Sequence, residues 1–257
     1  MPNTTGAASR DQWLATEVGR YIYSRQEKLI MDLVSPLAGE SVLDVGCGTG
    51  NTLYLFQKKK CILTGIDSSR EALDLARRKV GDQCEFVLGE AADLPFSDNE
   101  FDIVTLITSI QAFHDHQKVI AEAIRVCRKR IFIGFLNKHT PVGTKQSVRK
   151  LFGFPLFSQV RFFSIGEMKF IINQVMNTSI TWGSVIYLPA PIYKWCSEFE
   201  ELFPMKKNPL GAFVGMAVPV RYSYRTVQNP LMNSFELDAK TQAAAPDVVR
   251  GLLRDGD

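Results

Sequence analysis

Three glycines alternate directly after an apolar, strand-like run, and this pattern restricts the fold more than any other feature of the chain. The stretch from Val42 to Asn51 reads VLDVGCGTGN, so the glycines are Gly46, Gly48 and Gly50. Glycine adopts backbone angles that a side chain forbids and lets a ligand approach the main chain closely. Such a turn after a buried strand is typical of nucleotide-binding α/β folds, although a purely structural strand-to-helix turn also fits this stretch alone.

Two residues of the loop argue against a dinucleotide ligand. The dinucleotide-binding turn requires a small residue at the position that Asn51 occupies. Asp44, beside the first glycine, would repel a pyrophosphate, whereas it suits a ligand that carries an ammonium and a sulfonium. The loop therefore favours a cationic nucleoside without phosphates, and an NAD-dependent oxidoreductase remains an alternative.

Short apolar runs alternate with helical patterns along the first half of the chain. The runs cover residues 61–67, 84–89, 101–107 and 130–136, and helical patterns cover residues 70–79 and 119–127. This alternation predicts a doubly wound α/β fold with a parallel sheet. The basic clusters at 58–60 and 128–130 are interpreted as solvated helix ends, where cations face backbone carbonyls.

The second apolar run ends in Asp67, about twenty residues beyond the glycines. Folds of this class place there the carboxylate that binds the ribose hydroxyls of the ligand. Asp67 or Ser68 could instead cap the helix that starts at Arg70, and Ser69 is a further capping candidate. The two roles are compatible, since a serine can cap while Asp67 binds.

With these motifs in order, the chain resembles class I S-adenosylmethionine-dependent methyltransferases, in particular the methyltransferase type 11 subgroup, over about residues 10–136. The resemblance implies a Rossmann-like seven-stranded sheet, mostly parallel, with helices on both faces and an antiparallel final hairpin at 181–188 and 211–221. We expect an N-terminal helical cap at 1–35 and the methyltransferase domain at 36–221. Its inserts lie at about 140–163, which is aromatic-rich and follows strand 5, and at about 190–206; residues 222–257 form a flexible tail.

The resemblance also implies which residues bind the cofactor S-adenosylmethionine. Asp93 would accept a hydrogen bond from the adenine amino group, with Ala92 and Leu94 packed near the ring; a solvated acidic turn is the alternative. Arg20 could approach the methionine carboxylate, or it could form a surface ion pair. The remaining expected cofactor contacts are Asp44, Gly46, Cys47, Gly48, Gly50, Asn51, Asp67, Ser68 and Thr108.

The sequence says less about the residues that bind the molecule that accepts the methyl group. Many members of the family carry a histidine at the position that aligns with Gln111, and an amide cannot act as a general base. His139 is the candidate base, and Gln111 together with residues 137–143 is expected in the acceptor pocket. His114 and His116 read as cap or loop residues around Asp115, which is expected to cap a helix near Gln117. Adjacent residues on one turn seldom converge on one ion, so no metal site is expected.

Composition narrows the function classes further. The 257 residues are 46% hydrophobic, enough to bury one sizeable core, and the net charge of +3 does not indicate a nucleic-acid partner. No apolar run reaches the length of a membrane span, and residues 1–10 lack the zones of a secretory signal. Five scattered cysteines favour reduced thiols and a cytoplasmic location.

The sequence therefore predicts an enzyme that transfers a methyl group to a small-molecule acceptor by in-line displacement, as a monomer or homodimer. A methyltransferase that acts on a macromolecule and a non-catalytic S-adenosylmethionine-binding protein remain the alternatives.

Overall fold

The computed structural model describes residues 11–142, 144, 148, 152, 161–188 and 203–220. Its helices are α1 (Glu17–Val34), α2 (Asn51–Gln57), α3 (Arg70–Val80), α4 (His116–Val126) and α5 (Ile165–Val175). Its strands are β1 (Ser41–Val45), β2 (Ile62–Asp67), β3 (Cys84–Leu88), β4 (Phe101–Ile107), β5 (Cys127–Leu136), β6 (Thr181–Val185) and β7 (Phe213–Pro219). The predicted tail at 222–257, most of the two predicted inserts and Cys196 lie outside the described residues.

A single sheet of seven strands, in the order β3-β2-β1-β4-β5-β7-β6, organises the fold. Neighbouring strands are parallel except at β7, which runs antiparallel to both β5 and β6. The predicted doubly wound sheet with a final antiparallel hairpin is thus confirmed. The strand order reverses between β1 and β4, and ligands of such folds bind at this switch point, beside the carboxyl ends of the strands.

Three helices start at capping residues that can be recognised in the sequence. Ser164 and Glu167 form a capping box at α5: Ser164 Oγ accepts from the Glu167 amide at 3.1 Å, and the Ser164 amide donates to the Glu167 carboxylate at 2.7 Å. Ser69 caps α3 and Asp115 caps α4, each through a side-chain oxygen that accepts an amide three residues on. Because Ser69 is the cap, Asp67 is left for another role.

Helix α1 lies close against the final hairpin and also reaches the glycine loop. A Cβ atom added at Gly183 would lie 3.0 Å from the Leu29 side chain, and one added at Gly215 would lie 3.2 Å from it. Glycine at these two strand positions therefore leaves room for α1. At the other contact, Tyr23 Oη donates to the Asn51 carbonyl oxygen at 2.7 Å. Both contacts hold the middle of α1 beside the carboxyl end of the sheet.

The predicted solvated helix end at residues 128–130 is wrong. Helix α4 ends at Val126 and β5 begins at Cys127, so these residues are extended. Arg130 contacts Glu40 at 2.6 Å, and Arg128 contacts Asp102 at 2.8 Å. Both carboxylate side chains are at least nine-tenths buried, and buried carboxylates require such partners.

We predict that Glu40→Gln removes pH-dependent stability. Burial acts to raise the pKa of Glu40, but hydrogen bonds from Arg130 and the Leu37 amide outweigh it and lower the pKa to about 2. A depressed folded-state pKa stabilises the protein above the unfolded pKa of about 4.3, and this contribution is lost as the pH falls towards 2. Chemical denaturation at pH 7 should show a loss of roughly 2 kcal/mol that shrinks below pH 4.5.

The exposed Glu85 provides the matched control. Glu85→Gln should leave both the stability at pH 7 and its pH dependence within about 0.5 kcal/mol of wild type. Equal losses in the two variants would contradict a special role for the Glu40 ion pair.

Candidate functional site

Two adjoining cavities open at the carboxyl ends of the central strands. The main cavity, of about 290 Å³, is bounded by the ends of β1 and β2 and by the segments that follow β3 and β4. The side cavity, of about 110 Å³, lies between α1 and the glycine loop. Gly46 and Thr108 line both, so the two cavities adjoin at these residues. Together they reach the size of small-molecule sites.

The three glycines of the loop all have positive φ angles, but the surroundings of Gly50 and Gly48 differ. A Cβ atom at Gly50 would lie 3.0 Å from Val80 Cγ2 and 3.2 Å from Ala76 Cβ, so this glycine lets α3 pack against the loop. At Gly48, with φ of 53°, an added Cβ would meet nothing within 4 Å. Gly48 therefore offers bare main chain to the side cavity, which it lines.

Asp67 stands at the junction of the loop and the main cavity. Its Oδ2 atom accepts from the Gly48 amide at 2.8 Å, and its Oδ1 atom accepts from the Ser69 amide at 2.9 Å. The same residue and its neighbour Ser68 line the main cavity. The sequence expectation for both residues is consistent with this placement.

Asp44 lies beneath the loop, whereas Cys47 belongs to the loop and lines the side cavity. Asp44 is 2% exposed, and its carboxylate accepts from Thr105 Oγ1 at 2.7 Å. Asp44 lines neither cavity, so it would act on a bound ligand through its charge and not through direct contact. The Cys47 thiol faces Gly65, where an added Cβ would lie 2.9 Å from the sulfur, and burial raises the pKa of this thiol.

The side chain of Asn51 belongs to a polar cluster formed by Asp11, Thr49, Asn51 and Lys79. Asn51 Nδ2 and Lys79 Nζ donate to Asp11 at 3.0 and 2.8 Å, and Lys79 also donates to Asn51 Oδ1 at 2.9 Å. Although burial acts to raise the pKa of Asp11, the hydrogen bonds from Lys79 and Asn51 lower it. The cluster fastens the first described turn of the chain onto the glycine loop.

An acid other than the expected one faces the main cavity after β3. Glu90 lines it together with Gly89 and Ala91, whereas Asp93 lies outside the lining, and both acids are exposed to solvent. Leu94 is buried in the core. Sequence reasoning missed Glu90, although it is the first acid after the end of β3.

Gln111 lies outside the cavities and joins three segments of the chain. Its Oε1 atom accepts from the Leu136 amide at 3.1 Å, and its Nε2 atom donates to the Arg161 carbonyl oxygen at 2.9 Å. It is 2% exposed. Beside it, Ser109 lines the main cavity and donates to the Val45 carbonyl oxygen at 2.6 Å.

The three histidines do not line either cavity in the described part of the chain. His139 is exposed on the loop after β5, and its amide donates to Asn137 Oδ1 at 3.1 Å. His114 is also exposed. His116 is buried with its ring 4.9 Å from that of Phe163, and burial lowers its pKa. Arg20 is exposed and donates to the Ala15 carbonyl oxygen at 2.7 Å.

Residues 11–142, 161–188 and 203–220 contain no group of three or more histidine, cysteine or acidic side chains arranged to hold a metal ion. The same residues include no helix with the length and apolar character that crossing a membrane requires.

The chain is similar to known methyltransferases in sequence and in fold. A family model described as a methyltransferase domain matches residues 42–130. A solved S-adenosylmethionine-dependent methyltransferase from Thermotoga maritima superposes with a TM-score of 0.67 at 21% identity, over 83% of this chain and 95% of that one. Residues 42–130 thus match a methyltransferase domain, and the described fold is similar to that of an S-adenosylmethionine-dependent methyltransferase.

Two curated relatives show how varied the class is. A demethylmenaquinone methyltransferase from Thermotoga maritima is 33% identical over 141 residues, which cover 54% of this chain and 61% of that protein. An O-methyltransferase from Penicillium expansum is 37% identical over 101 residues, or 37% of each protein. The chain thus spans about half the length of the curated relatives it matches.

The residues of the cleft fit S-adenosylmethionine. Bare main chain at Gly48 admits a close ligand, the Asp67 carboxylate suits hydroxyl donors, and Asp44 below the loop favours a cation. When bound, this cofactor supplies a methyl group already activated by a positively charged sulfur. The chain must then orient it and exclude water.

We predict that Gly50→Ala and Gly48→Ala differ in stability although both residues have positive φ. Each variant loses about 1 kcal/mol from the left-handed backbone angle. Gly50→Ala should lose a further 1–2 kcal/mol because its new methyl group is forced against Val80 and Ala76. Urea denaturation of the two variants measures this difference, and a larger loss for Gly48→Ala would contradict the packing described for the loop.

Proposed function

We propose that the protein transfers a methyl group from S-adenosylmethionine to a small-molecule acceptor. The observation that carries the proposal is the main cavity, which Gly46 of the glycine loop, Asp67 and Glu90 line together at the switch point of the sheet. A cytoplasmic location and a monomeric or homodimeric state remain predictions from the sequence.

The curated relatives support a small acceptor. The name of one relative refers to demethylmenaquinone, and that of the other to O-methylation. A reduced aromatic ring with hydroxyl groups is therefore the first acceptor class to test, because it offers both a carbon and an oxygen nucleophile.

The reaction requires little from the protein beyond alignment. The acceptor would attack the methyl carbon in line, the carbon–sulfur bond would break with its electrons left on the sulfur of S-adenosylhomocysteine, and the proton of the acceptor would pass to solvent. Residues of the cleft hold the two reactants and remove water. The histidine positions give no direct support to His139 as the base, and neither does the engagement of Gln111 with Leu136 and Arg161.

The same histidine positions favour a second candidate function. Without a histidine in the lining formed by the described residues, the site also suits a protein that binds S-adenosylmethionine without transferring its methyl group. Methyl-group transfer itself separates the two functions.

Ligand binding is tested with three alanine variants of acidic residues near the cleft. We predict that S-adenosylhomocysteine raises the melting temperature of wild type and that NADH does not. Asp67→Ala should weaken S-adenosylhomocysteine binding at least tenfold, because an acceptor for hydroxyl hydrogen bonds is lost. Glu90→Ala should weaken it several-fold, whereas Asp93→Ala should change it less than about twofold, because Glu90 lines the main cavity and Asp93 does not.

The melting temperatures of the ligand-free variants serve as a control, since Asp67 also binds two loop amides. Loss of affinity in Asp93→Ala but not in Glu90→Ala would support the adenine contact that the sequence predicts for Asp93. It would contradict the ligand contact that the cavity lining indicates for Glu90. Protection by NADH alone would refute the methyltransferase proposal.

Transfer is tested with labelled S-adenosylmethionine and reduced naphthoquinone-type acceptors. We expect label in the organic extract with wild type and at least a tenfold smaller rate with Asp67→Ala. Label in protein or RNA fractions instead would indicate a macromolecular acceptor. Binding of the donor without transfer to any acceptor in a metabolite extract would favour the second candidate function.

A further inference from the structure

The connection between β3 and β4 borders the main cavity with little regular structure of its own. Residues 89–100, all of which the structure describes, form no helix and belong to none of the seven strands. Residues 89–91 line the main cavity. The Asp93 amide donates to the Glu90 carbonyl oxygen at 3.2 Å and closes a turn at residues 90–93. A single hydrogen bond of this kind stabilises a turn only weakly, because water competes for both groups.

An ion pair on α4 lies against this connection. Glu122 and Arg125 are one helical turn apart, and Arg125 Nη2 is 2.8 Å from Glu122 Oε2. Only 19% of the Glu122 side chain is exposed, so salt and solvent screen this pair less than a surface ion pair. The hydrogen bond from Arg125 lowers the pKa of Glu122, and the carboxylate therefore stays charged at neutral pH.

Both members of the pair also bind the main chain just after the 90–93 turn. Glu122 Oε2 accepts from the Leu94 amide at 2.9 Å, and Arg125 Nη2 donates to the Leu94 carbonyl oxygen at 2.9 Å. Arg125 Nη1 donates to the Phe96 carbonyl oxygen at 2.8 Å, and the Arg125 carbonyl oxygen accepts from the Asn99 amide at 2.9 Å. Hydrogen bonds to charged groups are stronger than neutral ones, so the connection is held firmly on α4.

The turn is thus fixed at both ends. Before it, the Gly89 amide donates to the Asp67 carbonyl oxygen at 3.1 Å, which ties the chain to the end of β2. After it, the ion pair holds Leu94. Without the ion pair, the second end would keep only the apolar packing of Ala91 and Leu94 in the core. Apolar packing is not directional, and it does not by itself aim the Glu90 side chain.

We propose that Glu122 and Arg125 are positioning residues of the candidate site, which hold the 90–93 turn so that Glu90 faces a ligand in the main cavity. This inference rests on the proposed function and deepens it. Neither residue lines a cavity, so the pair acts on the ligand through Glu90. The affinity that Glu90 contributes should therefore depend on the pair.

A double-mutant cycle tests this dependence by isothermal titration calorimetry with S-adenosylhomocysteine. Arg125→Met should weaken binding about three- to tenfold, because the turn loses one of its two anchors. Glu90→Ala should weaken binding several-fold in the wild type but less than about twofold in Arg125→Met. Asp67→Ala should keep its loss of at least about tenfold in both proteins, since the sheet holds Asp67. A general destabilisation would leave the effects of Glu90→Ala and Asp67→Ala equally unchanged.

Conservative variants separate geometry from charge. Arg125→Lys keeps the positive charge but donates from a single nitrogen, so it should lose the coupling to Glu90 as Arg125→Met does. Glu122→Gln keeps an acceptor for the Leu94 amide without the ion pair and should lose about half of the coupling, on a logarithmic scale. These two variants complete the cycle if Arg125→Met does not fold.

Arg77 on α3 provides the matched control. It contacts Asp74, also three residues earlier, at 2.9 Å, and it donates to the Phe86 carbonyl oxygen of β3 at 3.3 Å. Arg77→Met therefore removes an ion pair and a main-chain contact of the same kind before the turn. It should change the affinity and the effect of Glu90→Ala by less than about twofold.

Hydrogen exchange of the ligand-free proteins tests the anchor itself. The Leu94 amide should exchange at least about tenfold faster in Arg125→Met than in the wild type, whereas amides of β1 and β2 should be unaffected. Unchanged exchange at Leu94 would overturn the proposed anchor. An undiminished effect of Glu90→Ala in Arg125→Met, or no effect of Glu90→Ala in the wild type, would overturn the positioning role while wild-type binding leaves the proposed function intact. Failure of the wild type to bind S-adenosylhomocysteine would overturn both.

Discussion

One carboxylate organises the candidate site. Asp67 accepts hydrogen bonds from the amides of Gly48 and Ser69, and so joins the glycine loop to the turn that leads into α3. A loop with three glycines of positive φ has much backbone entropy to lose on folding. Charge-assisted hydrogen bonds to the half-buried carboxylate at the end of β2 offset part of that loss. The shape of the main cavity therefore depends on an interaction made before any ligand binds, which reduces the reorganisation needed on binding.

The two edges of the sheet satisfy their polar groups differently. At the amino edge, the buried carboxylates of Glu40 and Asp102 are matched by Arg128, Lys129 and Arg130. At the carboxyl edge, Gln26 keeps a donor without a partner among the described residues. Asn99 Oδ1 and His116 Nε2 also lack a partner among the described residues, so unpartnered polar atoms are not confined to the carboxyl edge.

Local signals explain how much could be predicted. Ser164, Ser69 and Asp115 cap their helices because capping depends on residues three positions apart, and Asp67 was predictable because topology fixes the end of β2. Glu90 was missed because the turn after β3, and not the identity of the acid, decides which carboxylate faces the cavity. The partners of Gln111 lie 25 and 50 residues away, so no local pattern indicates its role.

The cluster of Asp11, Thr49, Asn51 and Lys79 makes the mouth of the cleft sensitive to ionic strength. The side chains of Asp11 and Lys79 are each about a third exposed, at 30%, and dissolved ions screen such a pair over about 8–10 Å at physiological salt. The contact between Tyr23 and the Asn51 carbonyl oxygen involves no charged group and is not weakened in this way. Salt therefore weakens the attachment of the leading turn to the glycine loop more than it weakens the contact of α1 with the same loop.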